Sequence, residues 1–304
     1  MPLVQDVLAG TVRSGTSVLF AAEGELIAER SGVINLGTEG CMLTGALAGF
    51  AVANATGSVV PGVLAAAVAG ALLASIHAFC VITCRANQLA SGLAVSFLGL
   101  GLTSWLGQHY VDQSIHALNP VDIPGLSSIP FIGPVLFHHD VLTYLGLALG
   151  PLIWLFLFRT RAGLILRATG ESGNVAFAYG HSPVRVRYLA VMTGGALAAV
   201  GGAQLVLAYT LNWVENVTVG RGFVAVALVI FAGWQPLKAT LGAFVFGGAL
   251  ALQLQLQARG VDISPFLLNM APYLLTHAIL VVASRGRAQR PPEEIRAVFG
   301  TAGA

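Results

Sequence analysis

Residues 59–83 read VVPGVLAAAVAGALLASIHAFCVIT, an apolar stretch that contains no Asp, Glu, Lys or Arg. A helix that crosses a bilayer needs about 20 mostly apolar residues, and this stretch exceeds that length. Its small residues are typical of helices that pack closely inside a membrane. The stretch therefore predicts a transmembrane helix.

The composition of the whole chain agrees with this prediction. Of 304 residues, 56% are hydrophobic and 9% are charged, whereas a soluble domain carries about 25% charged residues. Such a chain cannot cover a surface that faces water. The net charge of +2 is too small to indicate a nucleic-acid partner, so membrane lipid is the expected surrounding.

Similar apolar stretches recur along the chain. We predict spans at 5–23, 33–54, 59–83, 87–107, 141–158, 188–211, 222–235, 238–257 and 265–284. Asp6 and Arg13 dilute the first span, and the span at 222–235 is short, so it is expected to be broken or re-entrant. The predicted fold class is an all-α polytopic membrane protein with about eight to ten transmembrane helices.

The distribution of arginine and lysine sets the orientation. Arginines crowd the loop 159–187 and the tail 285–304, which are separated by an even number of predicted spans. Both segments are therefore predicted to be cytoplasmic, together with Arg30, Arg85 and Lys238. We place Arg13, Arg221 and Arg259 in or near the outer half, and the N-terminus outside. Residues 1–284 then form the transmembrane domain and 285–304 a cytoplasmic tail.

The longest outer loop, 108–140, contains four prolines and His109, His116, His138 and His139. Dense proline prevents a continuous helix. The loop is interpreted either as a solvated connector or as a docking surface for an external partner. Its histidines lack a regular ligand spacing, and no metal site is predicted.

The loop 159–187 contains a short helical pattern. Gly170 and Glu171 precede residues 174–179, and Gly180 follows them. An acidic residue near the start and glycine at the end are typical of a short helix. Its exposed alanine, phenylalanine and tyrosine need a partner surface, and the alternative is a helix that rests on lipid headgroups.

Three stretches carry a resemblance to a known family. They are ERSGVINLGTEG at 29–40, the segment 170–180, and GRGFVAVALVIFAGWQP at 220–236. Over residues 8–285 the chain resembles the permeases of bacterial ABC importers in the branched-chain amino acid/ribose group. Within that group it is most similar to the simple-sugar and nucleoside type that basic-membrane-protein lipoproteins serve.

The resemblance implies a pump in the bacterial inner membrane with two permeases, usually different chains, of which this one resembles the shorter, second subunit. A cytoplasmic ABC ATPase, which binds ATP and Mg²⁺, and an extracytoplasmic solute-binding lipoprotein complete the assembly. It also implies that 159–187 couples to the ATPase. The residues expected in the ATPase cleft are Gly170, Glu171, Ala176, Ala178 and Gly180.

Two departures from the family pattern stand in this segment. His181 occupies a position that is usually aliphatic, and Ser172-Gly173 replaces a common Asn-Pro. They leave the start of the short helix open.

The chain itself carries no motif for ATP hydrolysis or for another enzymatic reaction. Its single lysine, Lys238, lies outside any Gly-x-x-x-x-Gly-Lys-[Ser/Thr] loop, so ATP is expected to be hydrolysed by another chain and no cofactor is expected here. His-Glu-x-x-His, paired aspartates and Gly-x-Ser-x-Gly are also missing from the sequence. The predicted function is an importer permease, not an enzyme.

An ion-coupled secondary transporter is the alternative. It would need ionisable groups near the middle of the membrane. Glu39 is the one deep acidic candidate that the predicted spans contain, with His77 and His277 as further titratable groups. The ATP-driven reading is therefore preferred, with a nucleoside ahead of a simple sugar on resemblance alone.

Polar residues within the predicted spans are candidates for the solute pathway. Asn35 and Glu39 are four apart and share a helix face. Hydrogen bonding between helices is an equally good explanation of such residues, and a Glu215–Arg221 ion pair would account for those two. The candidates are Asn35, Glu39, Asn87, Gln88, Ser91, Ser96, Glu215 and Arg221.

Overall fold

The computed structural model describes residues 2–115, 118, 120–260, 264, 267, 270–275, 278 and 291–300. Most of the predicted ninth span, 265–284, falls outside these residues. The predictions that concern single residues outside them are those for His116, His277, Arg285, Arg287 and Arg290.

The described chain is helical, with one short hairpin. Helices α1 to α12 span Pro2–Arg30, Thr38–Thr56, Val59–Ala78, Gln88–Gly107, Ile132–Leu136, Val141–Arg159, Arg161–Glu171, Gly173–Ala178, Pro183–Gln204, Arg221–Phe231, Pro236–Ala258 and Glu293–Gly300. Turns of π-helix extend α3 over Phe79–Thr83 and α9 over Leu205–Thr210, and a 3₁₀ turn, Gln108–Tyr110, follows α4. Strands β1, Val121–Asp122, and β2, His138–His139, pair antiparallel.

Five of the described helices are long and apolar enough to cross a membrane. They are Val59–Thr83, Gln88–Tyr110, Val141–Arg159, Pro183–Thr210 and Pro236–Ala258. The predicted all-α polytopic fold is confirmed. The predicted spans 59–83, 87–107, 141–158 and 238–257 agree with these helices to within about two residues at each end, except that a 3₁₀ turn continues the helix that starts at Gln88 to Tyr110.

Helix α1 forms the centre of the bundle. Its side chains from Ser14 to Glu29 are buried on every face, and it packs against α9, α10 and α11. Gly15 meets Gly247 of α11 so closely that a Cβ on Gly247 would lie 2.5 Å from the Gly15 Cα. Small residues therefore allow the backbones to approach, as in other membrane bundles.

The predicted end of the first span was wrong. Helix α1 does not stop at residue 23 but continues to Arg30, because the polar residues of its last two turns lie inside the bundle. The second span was predicted to start at 33, which was too early. Residues 31–37 are not helical, and α2 begins at Thr38. The predicted start of the sixth span at 188 was too late, because α9 begins at Pro183, where the Ser182 hydroxyl accepts a hydrogen bond from the Arg185 nitrogen.

The arginine-rich loop lies at one end of the bundle, which we call the basic end. There Arg30 donates to the Trp234 carbonyl oxygen, Arg187 donates to the Ser31 carbonyl oxygen at 3.3 Å, and Gly170 packs on the Arg30 backbone. The N-terminal part of α1 lies at the opposite end, where Asp6 is 4.0 Å from Arg259. Arg30 and Arg187, which the orientation argument placed inside, therefore lie at the end opposite to Arg259, which it placed outside.

Candidate functional site

Two non-helical segments enter the bundle. One lies within the stretch 29–40 that carries the family resemblance, and the other runs up to the start of the stretch 220–236. The first, residues 31–37, joins α1 to α2. The second, residues 211–220, joins the end of α9 to α10. Non-helical backbone inside a membrane protein must find its hydrogen-bond partners within the protein. Their partners therefore show what holds these segments.

Side chains from α3 and α4 hold the backbone of segment 31–37. The Ile34 nitrogen donates to Gln88 Oε1 at 2.8 Å, and Ser96 Oγ donates to the Leu36 carbonyl oxygen at 2.7 Å. His77 Nε2 lies 3.0 Å from the Ile34 carbonyl oxygen, and its Nδ1 lies 3.1 Å from Ser91 Oγ. A neutral His77 that donates through Nε2 and accepts from Ser91 satisfies both contacts.

Helix α1 holds the other side of the same segment. Glu25 accepts from the Asn35 nitrogen and from Thr38 Oγ1, each at 2.7 Å. Asn35 in turn accepts from the Gly37 nitrogen at 2.9 Å through its side chain. Asn87, at the start of α4, accepts from the Ala90 nitrogen at 3.0 Å. It is an N-cap residue.

Five of the predicted pathway residues thus have partners inside the protein. Four of them fix segment 31–37 directly or through His77, and the fifth caps α4. The sequence analysis gave two explanations for these residues, a role in the solute pathway and hydrogen bonding within the protein. The structure shows the hydrogen bonding. A contact between any of them and solute stays a prediction. The five are Asn35, Asn87, Gln88, Ser91 and Ser96.

Helix α10 is a half-length helix. Its 11 residues span about 16 Å at 1.5 Å per residue, half of a hydrocarbon core of about 30 Å. Segment 211–220 precedes it without helical structure. The predicted broken or re-entrant seventh span is confirmed.

The carboxylate of Glu39 meets the N-terminus of α10. Its Oε1 accepts from the Gly220 nitrogen at 2.9 Å and from Thr218 Oγ1, and its Oε2 accepts from the Gly222 nitrogen at 2.6 Å. The first nitrogens of a helix have no partner within the helix and carry partial positive charge, which a carboxylate balances. Glu39 is buried, with 5% of its surface exposed. Glu39 therefore holds the broken helix in place.

The approach of α10 to α2 requires glycine. A Cβ on Gly222 would lie 2.5 Å from the Glu39 Cα, closer than real atoms come. Gly220, just before the helix, has a φ of 79°, which glycine adopts at little cost. The pattern Gly-Arg-Gly is thus explained on both sides of Arg221.

Arg221 lies beside this contact with its guanidinium turned into the protein. It interacts electrostatically with Tyr209, Tyr273 and Glu39. Among the described residues, its buried Nη1 has no hydrogen-bond partner. The Glu215–Arg221 pair is not formed by the described atoms. Glu215 is exposed and lines an open cleft of about 460 Å³ at the end of the bundle opposite the basic end.

The other end of α10 is joined to α1. Trp234 Nε1 donates to Glu29 Oε2, and Arg30 donates to the Trp234 carbonyl oxygen from Nε at 3.0 Å and from Nη2 at 2.5 Å. The two stretches 29–40 and 220–236 therefore bind each other at both ends of α10.

The prediction that Glu39 is the one deep acidic residue was wrong. Glu23, Glu25 and Glu29 of α1 are also buried, none of them exposed by more than 1%. Each has a hydrogen-bond donor, and that of Glu23 is Thr240 Oγ1 at 3.0 Å. The sequence argument placed Glu23 at the very end of the first span, 5–23, and Glu25 and Glu29 beyond it. The i, i+4 spacing of Glu25 and Glu29, which puts both on one helix face, was the available signal.

The loop 159–187 folds as two short helices, α7 and α8. The predicted short helix is present as α8, although it begins at Gly173. Ser172 caps it by accepting from the Val175 nitrogen at 3.4 Å, and Gly180 follows with a φ of 83°. Helix α7 was not predicted. Glu171, expected near the start of α8, is instead the last residue of α7.

The predicted coupling residues divide into anchored and exposed ones. Gly170 and Ala176 are buried, and a Cβ on Gly170 would overlap the Arg30 carbonyl oxygen. Glu171, Ala178 and Gly180 are exposed. Three large side chains on α8 and directly after it are also exposed, and they were not among the five predicted coupling residues. They are Val175 at 50%, Phe177 at 72% and Tyr179 at 80%.

A helical membrane bundle with a half-length helix that begins beside a buried carboxylate has the architecture of a membrane transport protein, in which broken helices mark the transport path. The chain belongs to the family of permease components of branched-chain amino acid transport systems, whose model matches residues 7–283. The predicted family is confirmed, and its members are transporter components rather than enzymes.

Three named relatives match over almost the whole chain. The putative glucose ABC transporter permease protein TsgC13 of Haloferax volcanii is 38% identical, over 93% of each chain. The guanosine ABC transporter permease protein NupQ of Bacillus subtilis is 33% identical, over 94% of this chain and 93% of its own. The nucleoside ABC transporter permease protein NupC of Lactococcus lactis is 32% identical, over 92% of each. No solved structure matches the chain.

Proposed function

We propose that this chain is one of two permease subunits of an ATP-driven importer for a nucleoside or a simple sugar. The observation that carries the proposal is its similarity over almost its whole length to permeases named for guanosine, nucleosides and glucose. The second permease is a different chain, and the solute arrives on an extracytoplasmic lipoprotein. The site of action is the bacterial cytoplasmic membrane.

The energy reaches the permease at α8. This helix lies at the basic end, which the positive-inside rule assigns to the cytoplasm. Its exposed Phe177 and Tyr179 form an apolar face that a partner covers, because large aromatic side chains dominate the energetics of protein interfaces. Gly170 and Ala176 fix α8 from behind. The partner is an ABC ATPase, which binds the ATP and Mg²⁺ that this chain has no loop to hold.

The solute path leads from the open cleft near Glu215 toward the N-terminus of α10. Arg221 supports this course, because its buried guanidinium keeps an Nη1 without a partner among the described residues. Tyr209 and Tyr273 beside it provide hydroxyl groups and ring faces. Such groups suit a neutral, hydroxyl-bearing solute, and a nucleoside also has a base that can stack.

Affinity purification of the tagged chain from its own membranes in mild detergent tests the assembly. We expect a second permease and an ATPase with a phosphate-binding loop to come with it. In the Phe177→Ala/Tyr179→Ala variant, the recovered ATPase should fall several-fold. Phe97→Ala is the matched control, because Phe97 on α4 has a comparable exposure of 66% but lies far from α8 in the sequence.

Uptake measurements test the energy source and the solute. Cells that contain the transporter should accumulate labelled guanosine or glucose in an ATP-dependent manner, whether or not ion gradients are collapsed. In the ion-coupled alternative, the three buried glutamates of α1 would be the candidate ion-binding groups. Uptake by the chain alone, in liposomes without ATP and under an ion gradient, would overturn the proposal, and Glu25 and Glu29 would become the first residues to exchange.

A further inference from the structure

The C-terminal helix α12 returns to the basic end and packs beside α7. Ile295 is fully buried and Pro292 is buried as well, so α12 is seated on the bundle. Glu294, which directly precedes Ile295, has its side chain at the start of α8. The packing brings a distant carboxylate to the segment that we propose for ATPase docking.

Glu294 contacts three segments at once. Its Oε1 accepts from the Gly173 nitrogen, the first residue of α8, at 3.1 Å. The same oxygen lies 3.0 Å from Nη2 of Arg187 in the first turns of α9. A Cβ on Gly32, whose φ is 93°, would lie 2.8 Å from the Glu294 Cβ, so only glycine at position 32 admits this side chain so closely.

Arg187 extends the connection to segment 31–37. Its Nε donates to the Ser31 carbonyl oxygen at 3.3 Å. The side chains of Arg187 and Glu294 are 22% and 37% exposed, so the pair is partly shielded from water and screened less than a surface pair. Helix α8, segment 31–37 and helix α9 therefore meet at the side chain of Glu294: the carboxylate contacts α8 and α9, and the Cβ and Cγ lie against Gly32.

Helix α8 needs such support to transmit force. It has six residues, too few for a helix to be stable by itself, and among its side chains only Ala176 is buried. Segment 31–37, in contrast, continues into α2 and Glu39, which holds the half-length helix α10. The side chain of Glu294 thus links the start of α8 to segment 31–37, which leads into the helix that carries Glu39.

We propose that Glu294 is a positioning residue for energy coupling: it clips α8 to α9 and to segment 31–37, so that a displacement of the ATPase is passed on to the α10 region. The inference rests on the proposed docking of an ATPase at α8. It gives the C-terminal tail a role in coupling, in addition to the short helix.

The test compares Glu294→Gln with Glu293→Gln in the complete transporter. Glu293 is the neighbouring residue, and its one ion pair among the described residues is the exposed pair with Arg296, so it is the matched control. We expect Glu294→Gln to retain the bound ATPase and its ATP hydrolysis, while solute transported per ATP falls several-fold. Glu294→Asp, which keeps the charge, should recover part of this ratio.

A second measurement does not depend on transport. Hydrogen exchange of the backbone at 173–178 in the purified permease should be faster in Glu294→Gln than in the wild type and unchanged in Glu293→Gln. Glu294→Asp replaces Glu294→Gln if the latter does not accumulate in the membrane, and an intermediate rate is then expected.

The inference is overturned if Glu294→Gln transports with the wild-type ratio, or if exchange at 173–178 does not change. Failure of the proposed function looks different. In that case Phe177→Ala/Tyr179→Ala would leave the amount of bound ATPase unchanged, whatever the result for Glu294.

Discussion

Glu39 accepts a hydrogen bond from the backbone nitrogen of Gly222 at 2.6 Å, across 183 positions of sequence. The contact joins the first turn of α2 to the first turn of α10 and lets a helix begin inside the bundle. Because one carboxylate serves Thr218, Gly220 and Gly222, the start of α10 depends on a single side chain.

Glu39→Gln is expected to weaken this junction. The amide keeps the size but loses the charge, and its NH₂ group faces donors instead of offering them an acceptor. Hydrogen bonds to charged groups contribute about 1.5–3 kcal/mol each, so a lower thermal unfolding midpoint in detergent and reduced solute uptake are expected. Glu215→Gln, an equal charge change at an exposed position, should leave the thermal midpoint unchanged. Wild-type stability of Glu39→Gln would contradict this account of the junction.

Gly45 is expected to tolerate no side chain. A Cβ there would overlap the backbone of Ala199 in α9, and overpacking typically costs about 1–3 kcal/mol. Gly45→Ala should therefore lower the thermal midpoint and the yield from membranes. Gly101→Ala is the control, since a Cβ at Gly101 meets nothing within 4 Å. In that exposed helix interior alanine is favoured by about 1 kcal/mol, so equal effects of the two variants would argue against the close packing of α2 and α9.

Gly180→Val is expected to uncouple the transporter. With a φ of 83°, position 180 lies in the left-handed region, where a β-branched residue is strained by about 1–3 kcal/mol. Strain at the end of α8 should turn Phe177 and Tyr179 away from the ATPase. Solute uptake per ATP is the measurement, and Gly180→Asn is the control, because asparagine accepts this conformation. Normal coupling in Gly180→Val would show that the end of α8 is not part of the docking surface.

His139 is expected to make the outer loop sensitive to acid. Burial lowers the pKa of His139 below its usual 6.5, the bond to the Val135 carbonyl oxygen opposes this shift, and the Arg13 charge adds to it. His139 Nε2 lies 2.7 Å from that oxygen, and its buried Nδ1 has no partner among the described residues. Protonation would therefore place a charge in a buried site, where the added proton on Nδ1 has no acceptor among the described residues and Asp140 compensates the charge only in part.

The sign follows from proton binding. The folded state binds fewer protons at His139 than the unfolded state, so this contribution to stability is complete above pH 6.5 and is lost as the pH falls below it. The thermal midpoint of the wild type should decrease from pH 7.5 to pH 5.5, and His139→Gln should show a smaller decrease. A decrease that is identical in His139→Gln would assign it to other groups.

The local features of the chain were predictable from its sequence. The apolar stretch 59–83, the short seventh span and the turn at Gly180 are properties of a few consecutive residues, because helix length, hydropathy and glycine backbone preference act within one segment. The gathering of arginines at one end followed from the alternation of the spans. Motif resemblance likewise indicated the family that the comparison with known permeases then confirmed.

The tertiary structure alone decided how the polar residues are used. Glu25 and Glu29 looked like the end of a span because a carboxylate is costly in a membrane, but donors such as Trp234, about 200 positions away in the sequence, make their burial tolerable. In the same way Glu39 became the support of α10, and Glu294, rather than Glu171, became the carboxylate at the start of α8. A hydrogen bond needs both partners at about 3 Å, and only the packing of distant helices brings them to that distance.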